Sequence, residues 1–391
     1  MNLTEKDLHQ IESKGISIEK LTEQIHNFKK GFPPFELKKA ATIGDGVQRL
    51  NETEVKTIVN LYDAQAKQLT VSKFVPASGA ASRMFKDLFA FMESYDGSAT
   101  AKAAFEADKS FYSPYNFIHS LKDFAFYNDL KTALANDNLD IDDLLAKAEY
   151  SIIVQYLLTE KGLNYGGLPK GLLQFHNYGQ TNRTPLEEHL VEAAKYAKAA
   201  DKTANLHFTV SPNHRSRFLD KIAATQATYE KKYDTTYHIS LSEQEAYTDT
   251  IAVNKDFTPF RLSDGSILFR PGGHGALIEN LNQLDADIVF IKNVDNVVPD
   301  SLKADTYTYK KVIGGMLLKY RGQIFHYINA LSDKPSEAII NAAVDFYEND
   351  LSTIFPADFH QKTAEEKVEI LLQKLNLTQT LSNYHQYLLE T

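Results

Sequence analysis

A run of small residues at positions 76–84 is the first feature of the sequence that could bind a ligand. It follows a short β-rich run and contains Ser78, Gly79 and Ala80, whose small side chains let the backbone approach a bound group closely. Successive backbone N–H groups in such a turn can hold phosphate oxygens, and Arg83 adds a forked cation. The run lacks the Gly-Lys-Ser/Thr end of a Walker A loop and the glycine spacing of a dinucleotide fingerprint. It therefore predicts a phosphate-binding loop, with a plain strand-to-helix turn as the alternative.

A second loop, at residues 166–173, is shaped by glycines and a proline and presents one lysine. Lys170 could act there as a point charge on an anionic ligand. Because most single lysines are solvated surface groups, the alternative is a lysine that binds no ligand.

A glycine-rich turn at residues 270–277 opens a predicted helix. The N–H groups at a helix N-terminus favour oxygen-rich ligands, and the glycines around this one histidine are more than a helix cap requires. Gly273, His274 and Gly275 are therefore predicted to line a ligand site. A glycine-rich helix entry beside a packed histidine is the alternative.

An apolar strand ends in acidic and amide side chains at residues 288–296. Asp295 would lie at the carboxyl end of a buried parallel strand, which is where α/β proteins bind ligands. A carboxylate there suits Mg²⁺, because this ion prefers hard oxygen ligands. Lys292 is the only nearby cation in sequence and should point to the opposite face, so a metal ion is the expected counter-charge of Asp295 when nucleotide is bound. An Asp/Asn turn that caps the strand is the alternative.

These four segments are positioned by strands that alternate with helices. Strands are expected at residues 71–75, 206–210, 236–241 and 287–292. Helices separate the later strands, and the best marked of them begins with the capping box Thr184-Pro185-Leu186-Glu187. This alternation predicts an α/β fold with a mainly parallel sheet and helices on both faces.

Helical periodicity dominates the rest of the chain. Residues 1–70 and 299–391 are predicted to be N-terminal and C-terminal helical regions, and residues 84–160 a helical insertion. The predicted domain limits are therefore 1–70, 71–298 and 299–391, which suits a chain of 391 residues.

In their order along the chain, the four segments resemble the motifs of the sugar-nucleotidyltransferase family, whose sheet is Rossmann-like (GT-A-type). The small-residue loop resembles the family's signature loop ending in Arg-Met, and residues 169–173 resemble its Pro-Lys-x-Leu-Leu segment. Among its branches, the UDP-sugar pyrophosphorylases have a Pro-x-Gly-His-Gly turn similar to residues 271–275 and an Asn-x-Asp-Asn strand end similar to residues 293–296. The chain also looks like an uncharacterised bacterial family of unknown function related to these enzymes.

The resemblance covers residues 71–298 and implies transfer of a nucleotide from a nucleoside triphosphate to a sugar 1-phosphate, with release of pyrophosphate. Arg83 would hold the leaving pyrophosphate, and Lys170 would contact the α-phosphate. The small-residue loop and the glycine-rich turn would bind the nucleotide through Ser78, Gly79, Ala80, Gly273, His274 and Gly275. Asp295 would hold Mg²⁺.

The sequence departs from the family pattern at three places. The signature loop has fewer glycines, and the insertion at 84–160 is long. Residues 300–391 look helical where the family has a β-rich half that supplies sugar contacts and a second metal carboxylate. Either those parts lie beyond residue 391, or the helices replace them. A non-catalytic nucleotide or nucleotide-sugar binding protein on the same fold is one alternative, and a glycosyltransferase that consumes a nucleotide-sugar is another.

Composition argues against several other classes of protein. The net charge of −9 and the lack of a basic cluster disfavour a nucleic-acid partner. The absence of cysteine excludes disulfides, thiolate catalysis and cysteine-zinc sites. Without a run of about 20 apolar residues, no membrane span is expected, and the polar N-terminus does not resemble a signal peptide. The cytoplasm is the expected location, and the oligomeric state is left open.

Overall fold

The computed structural model of this chain describes residues 3–37, 39–179, 181–384 and 388–389. The α-helices are α1 (Glu5–Ser13), α2 (Ile18–Lys30), α3 (Glu52–Gln65), α4 (Lys86–Ser94), α5 (Ala99–Ala107), α6 (Pro114–His119), α7 (Tyr127–Asn136), α8 (Ile141–Ala146), α9 (Tyr150–Leu158), α10 (Pro185–Tyr196), α11 (Arg215–Tyr233), α12 (Ile278–Asn282), α13 (Lys303–Ser332), α14 (Glu337–Asp345) and α15 (Ala364–Tyr384). The β-strands are β1 (Thr42–Ile43), β2 (Gly46–Val47), β3 (Val71–Pro76), β4 (His176–Asn177), β5 (Asn182–Arg183), β6 (Thr203–Thr209), β7 (Thr236–Ser242), β8 (Thr250–Ile251), β9 (Phe269–Arg270), β10 (Ile288–Ile291) and β11 (Leu388–Leu389).

The main sheet of the described chain has the strand order β10-β3-β6-β7, with the two-residue strand β11 beside β10. β3 pairs in parallel with β6 over five residues, and β6 pairs in parallel with β7 over seven. The chain that follows β10 continues alongside β3. The Lys292 N–H donates to the Phe74 oxygen at 3.1 Å, and the Val294 N–H donates to the Pro76 oxygen at 3.2 Å. The predicted α/β fold with a mainly parallel sheet is confirmed.

Burial along the strands follows their sequence patterns. Every residue of the apolar strand β10 is buried, as expected for a central parallel strand. The edge strand β7 buries Tyr237 and exposes Thr236 and His238, so it alternates as a half-buried strand does. β3 is buried up to Val75 although it contains Lys73, and this lysine has a partner described below. The predicted strands are confirmed, with small shifts at their ends.

Helices α10 and α11 cover one face of β6. The Phe208 ring lies 6.3 Å, centroid to centroid, from His189 of α10 and from Phe218 of α11. α10 begins at the predicted capping box, in which the Glu187 N–H donates to the Thr184 hydroxyl and the Thr184 N–H donates to the Glu187 carboxylate. Local sequence therefore determines where this helix starts against the sheet.

The predicted helical insertion is present as α4 to α9. It has its own apolar core, in which Phe91, Leu130, Ile153 and Leu157 are buried. α6 starts as predicted, since the Ser113 hydroxyl accepts from the backbone and proline occupies the first helical turn. The insertion is therefore a packed helical element and not a long loop.

The chain forms two compact units, each assembled from separate stretches of sequence. The first contains residues 1–71, 244–290 and 307–390, and the second contains residues 72–243 and 291–306. Within the first unit, α1, α2 and the β8–β9 hairpin share one apolar cluster, and α13, α14 and α15 share another. Residues 1–70 and 299–391 therefore contain the expected helices. The predicted domain limits stay a prediction.

Two further features of the helices bear on function. The helix expected from residue 275 to 284 is shorter than predicted, because a 3-10 turn (His274–Leu277) precedes the five residues of α12. None of the helices in the described ranges combines the length and the apolar character that crossing a bilayer requires.

Candidate functional site

The small-residue loop after β3 is held at its two ends and open in its middle. The Ala77 N–H donates to the Thr209 oxygen at 2.8 Å, and the Ala81 N–H donates to the Leu168 oxygen at 3.3 Å. Between them, Ser78, Gly79 and Ala80 are exposed, and their N–H groups donate to no acceptor in the described part of the chain. These three successive N–H groups are therefore available to donate to a ligand.

The glycine in this loop is not needed for packing. A Cβ at Gly79 would meet no atom within 4 Å, and the residue is not in the left-handed region. The space above the loop is therefore open to a ligand. Arg83 is exposed, and no described side chain pairs with it, so its guanidinium is not directed at the loop by a neighbour.

Lys170 is presented by a second loop that packs directly on the first. Its backbone N–H donates to the Gly79 oxygen at 3.2 Å, and residues 80 and 169 form an antiparallel bridge. Gly171 lets the turn pack against the protein, because a Cβ there would lie 2.9 Å from the Phe218 ring and 3.1 Å from the Val294 side chain. The small-residue loop and the loop that carries Lys170 thus form one surface.

The ammonium of Lys170 forms an ion pair with the carboxylate of Asp295. The side chains of Lys170 and Asp295 are 29% and 33% exposed, so solvent and ligands can reach the pair. Lys170, which is distant in sequence, is the counter-charge of Asp295 in this structure. The prediction that a metal ion takes this position when nucleotide is bound stays a prediction. No group of three or more His, Asp or Glu side chains in the described ranges is arranged to hold a metal ion.

The strand order explains why these segments meet. β3 is followed by β6 and β7 on one side, whereas the later strand β10 lies on its other side. The connections that leave the carboxyl ends of β3 and β10 therefore run in opposite directions across the sheet. Open parallel sheets bind ligands in the crevice at such a point. The loop after β3 and Asp295 after β10 both lie at this carboxyl edge.

Helix α10 places a buried carboxylate beneath this edge, which the sequence interpretation missed. Glu192 accepts from Lys73 at 2.7 Å, from Lys292 at 2.7 Å and from the Tyr196 hydroxyl at 3.0 Å. Burial alone would raise the pKa of the Glu192 carboxyl, but the charges of Lys73 and Lys292 outweigh it and hold that pKa well below its usual range. One carboxylate therefore joins β3 to the residue that follows β10.

A second buried carboxylate on α10, that of Glu188, binds side chains from the segments that follow Lys170 and Asp295. Glu188 accepts from His176 at 2.8 Å and from the Tyr178 hydroxyl at 2.7 Å, both in the segment after Lys170. It also accepts from Arg183 at 3.3 Å and from Lys303, which follows Asp295 in sequence. Burial opposes ionisation of Glu188, but the hydrogen bonds from His176, Lys303 and Tyr178 outweigh burial and lower its pKa.

His189, between these two carboxylates, holds the backbone beside Asp295. Its Nε2 lies 3.1 Å from the Val294 oxygen, and because a carbonyl can only accept, Nε2 carries the proton. Burial and the charge of Lys73 lower the pKa of His189 well below its usual range, so the ring is neutral. The available sequence signal was the spacing of Glu188, His189 and Glu192, which puts three polar groups on one side of a helix.

Gly273, His274 and Gly275 belong to the first unit, whereas the small-residue loop, Lys170 and Asp295 belong to the second. Gly273 and Gly275 line a cavity of about 320 Å³ together with Lys20 and Thr250. The side chain of His274 lies outside the described part of the structure. The predicted nucleoside contacts of this turn stay a prediction.

A family profile described as Domain of unknown function (DUF4301) matches residues 4–378, which is nearly the whole chain, so the chain belongs to this family. No curated protein and no solved structure matches the sequence significantly. The family description assigns no activity, and the resemblance to the sugar nucleotidyltransferases therefore stays a prediction.

Proposed function

We propose that this family member is a nucleotidyltransferase that transfers a nucleotide from a nucleoside triphosphate to a sugar 1-phosphate and releases pyrophosphate. The observation that carries the proposal is the convergence of three segments far apart in sequence. The small-residue loop at residues 76–84, called the phosphate loop from here on, forms a β-bridge from residue 80 to residue 169. The neighbouring Lys170 pairs with Asp295. These are three of the four segments that resemble the motifs of the sugar-nucleotidyltransferase family, and they meet at one edge of the sheet.

The strand order gives separate support. With β3 counted as the first strand, the order β7-β6-β3-β10 is 3-2-1-4, which matches the first four positions of the Rossmann order 3-2-1-4-5-6. A GT-A-type core has a sheet of this kind, and we propose that this chain has such a core.

In the proposed reaction, a phosphate oxygen of the sugar 1-phosphate attacks the α-phosphorus, and the bond to pyrophosphate breaks. No side-chain nucleophile is needed, so the protein acts by positioning and by neutralising charge. The free N–H groups of Ser78, Gly79 and Ala80 bind the phosphates. Lys170 leaves Asp295 to contact the α-phosphate, and the unpaired Arg83 folds onto the departing pyrophosphate.

Asp295 by itself offers Mg²⁺ a weak site, which the phosphates of a bound nucleotide would complete. One carboxylate is too few for a cage made by the protein alone, but Mg²⁺ is commonly bound by one or two carboxylates together with substrate phosphates and water. When bound, the ion would neutralise phosphate charge and orient the leaving group. As the nucleotide binds, Lys170 would leave Asp295 for a phosphate, and Asp295 would become available to the metal ion. The turn at Gly273, His274 and Gly275 would border the nucleoside, and a cytoplasmic location fits such substrates.

The test is to incubate the purified protein with Mg²⁺, each nucleoside triphosphate and a panel of sugar 1-phosphates, and to separate the products by chromatography. The proposal expects pyrophosphate and a nucleotide-sugar in equal amounts from one combination, and neither product from the Asp295→Asn variant. Pyrophosphate without a nucleotide-sugar, or no product from any combination, contradicts transfer.

A non-catalytic nucleotide or nucleotide-sugar binding protein is the second candidate. It is favoured by the fact that the described residues supply no cluster of metal-binding carboxylates around Asp295. This candidate expects a specific nucleoside triphosphate or nucleotide-sugar to stabilise the protein by about 2–4 kcal/mol at saturating excess, with no turnover. Thermal shift measured alongside the product assay separates the two.

A further inference from the structure

The buried bridge between Lys73, Glu192 and Lys292 places three ionisable side chains in the interior, where their desolvation is costly. The side chains of Lys73 and Glu192 are fully buried, and that of Lys292 is 8% exposed. Apolar residues of similar volume in place of a buried ion pair are often neutral or stabilising, because they avoid desolvation.

The bridge joins the two strands that carry the predicted site. Lys73 lies in β3, three residues before its end, and β3 runs directly into the phosphate loop. Lys292 follows β10 directly and precedes Asp295 by three residues. Each ammonium contacts its own oxygen of Glu192, at 2.7 Å in both cases. The carboxylate therefore links the two strands close to their carboxyl ends.

A second contact from the same helix turn acts on the same segment. The neutral His189 ring donates to the oxygen of Val294, the residue before Asp295. Because Glu192 and His189 are one turn apart on α10, the helix holds the chain after β10 at two adjacent points. Carboxylate geometry limits the movement of both ammonium groups, and α10 itself is fixed by its capping box.

We propose that Glu192 is a positioning residue that sets the distance between the phosphate loop and Asp295 by binding Lys73 and Lys292 together. The inference deepens the proposed nucleotidyl transfer and rests on it, since the distance in question is that between the groups that bind the phosphates and the metal ion. Glu192 touches no substrate in this account and acts only through β3 and the segment after β10.

Lys73→Met and Lys292→Met are the variants of choice. Each leaves one neutral buried ion pair and breaks the link to one strand. Lys221→Met is the matched control, because Lys221 pairs with Glu187 of α10 at 2.9 Å but belongs to α11 and does not join the two strands. If either test variant fails to fold, the triple variant Lys73→Met/Glu192→Leu/Lys292→Met, which leaves no buried charge unpaired, replaces it.

The first readout is the distance itself. The chain contains no cysteine, so Ser82→Cys in the phosphate loop and Asn296→Cys beside Asp295 can be spin-labelled without background. Both positions are exposed. Paramagnetic resonance should give a narrow distance distribution in the parent and in Lys221→Met, and a broader or displaced one in the two bridge variants. Identical distributions in all of them overturn the proposal.

The second readout is the kinetics of the unlabelled variants. Misplacement of reacting groups by about an ångström can lower turnover on the order of 100-fold, so kcat should fall about 10- to 100-fold with nearly unchanged KM for the nucleotide. A loss of thermal stability with unchanged kcat would mean that the bridge only holds the fold, and would also overturn the proposal. If the parent itself is inactive, nucleotidyl transfer fails, and the distance measurement still decides whether Glu192 positions the two strand ends.

Discussion

Replacing Lys170 with methionine separates the role of this ammonium in binding from any role in folding. Its only ion pair in the described part of the chain is with Asp295, and both side chains are about one-third exposed. Ion pairs with this exposure contribute about 0–1 kcal/mol to stability. Methionine keeps most of the stem, and the backbone bond from residue 170 to the Gly79 oxygen does not involve the side chain. The free energy of unfolding should therefore change by less than about 1 kcal/mol.

Ligand binding should change much more, and in two opposite directions. Loss of a charge-assisted contact to phosphate costs about 1.5–3 kcal/mol, which weakens nucleoside triphosphate binding by about 10- to 150-fold. Mg²⁺ without nucleotide should instead bind more tightly, because Asp295 no longer gives up an ion pair to receive it. An ordinary surface lysine would produce neither change.

Isothermal titration with Mg²⁺ alone and with Mg²⁺–nucleotide measures both effects, and urea unfolding measures stability. Lys161→Met is the control, since Lys161 is exposed and, among the described residues, its ammonium donates only to the Gln155 side-chain oxygen, at 3.3 Å. If Lys170→Met binds each of the two ligands as tightly as the parent does, the assignment of Lys170 to a phosphate site is refuted.

Asp295→Asn should keep the fold and abolish Mg²⁺-dependent nucleotide binding in calorimetry; binding as tight as in the parent would make Asp295 a turn residue. Arg83→Ala should weaken triphosphate binding by about 1.5–3 kcal/mol without a change in melting temperature, whereas unchanged affinity would make Arg83 a surface group. Glu188→Gln removes one of the two carboxylates that Arg183 and Lys303 share, the other being Asp300, so urea unfolding should show a loss of about 1–3 kcal/mol that the exposed Glu149→Gln control does not show. Burial lowers the pKa of His207 to about 4, so between about pH 6.5 and 4 the unfolded chain binds a proton that the folded chain does not. Stability should therefore fall as the pH drops through this window, and His207→Asn should remove that part of the slope in urea titrations at several pH values.

The parts of the fold that follow from local signals were predictable from the sequence. β10 is an apolar run of a type found in central parallel strands, and Thr184 with Glu187 marks the start of α10. Alternation of strands and helices then requires the loop after β3 and the residues after β10 to emerge at the same edge of the sheet. That reasoning identified the segments of the candidate site before any contact between them was known.

The contacts that join these segments were not predictable, because they depend on residues far apart in sequence. Lys170 and Asp295 are 125 positions apart, and only the bridge between the two loops brings the lysine to the carboxylate. Glu192 lies on a helix whose other acidic residues, Glu187 and Glu188, are also buried, although acidic residues of a helix are usually exposed. Its burial is intelligible only once Lys73 and Lys292 are seen to bind it from two strands. The pairing of buried charges from distant parts of the chain leaves no pattern in the local sequence.

The most direct test of the account is the isotope exchange that defines nucleotidyl transfer. The protein is incubated with Mg²⁺, labelled pyrophosphate and a panel of nucleotide-sugars, and the label in nucleoside triphosphate is counted. The account predicts that one nucleotide-sugar transfers label into its triphosphate, and that Lys170→Met and Asp295→Asn lose this exchange while remaining folded. Absence of label from every triphosphate, with a nucleotide-sugar bound at saturation, would contradict catalysis and leave a binding protein.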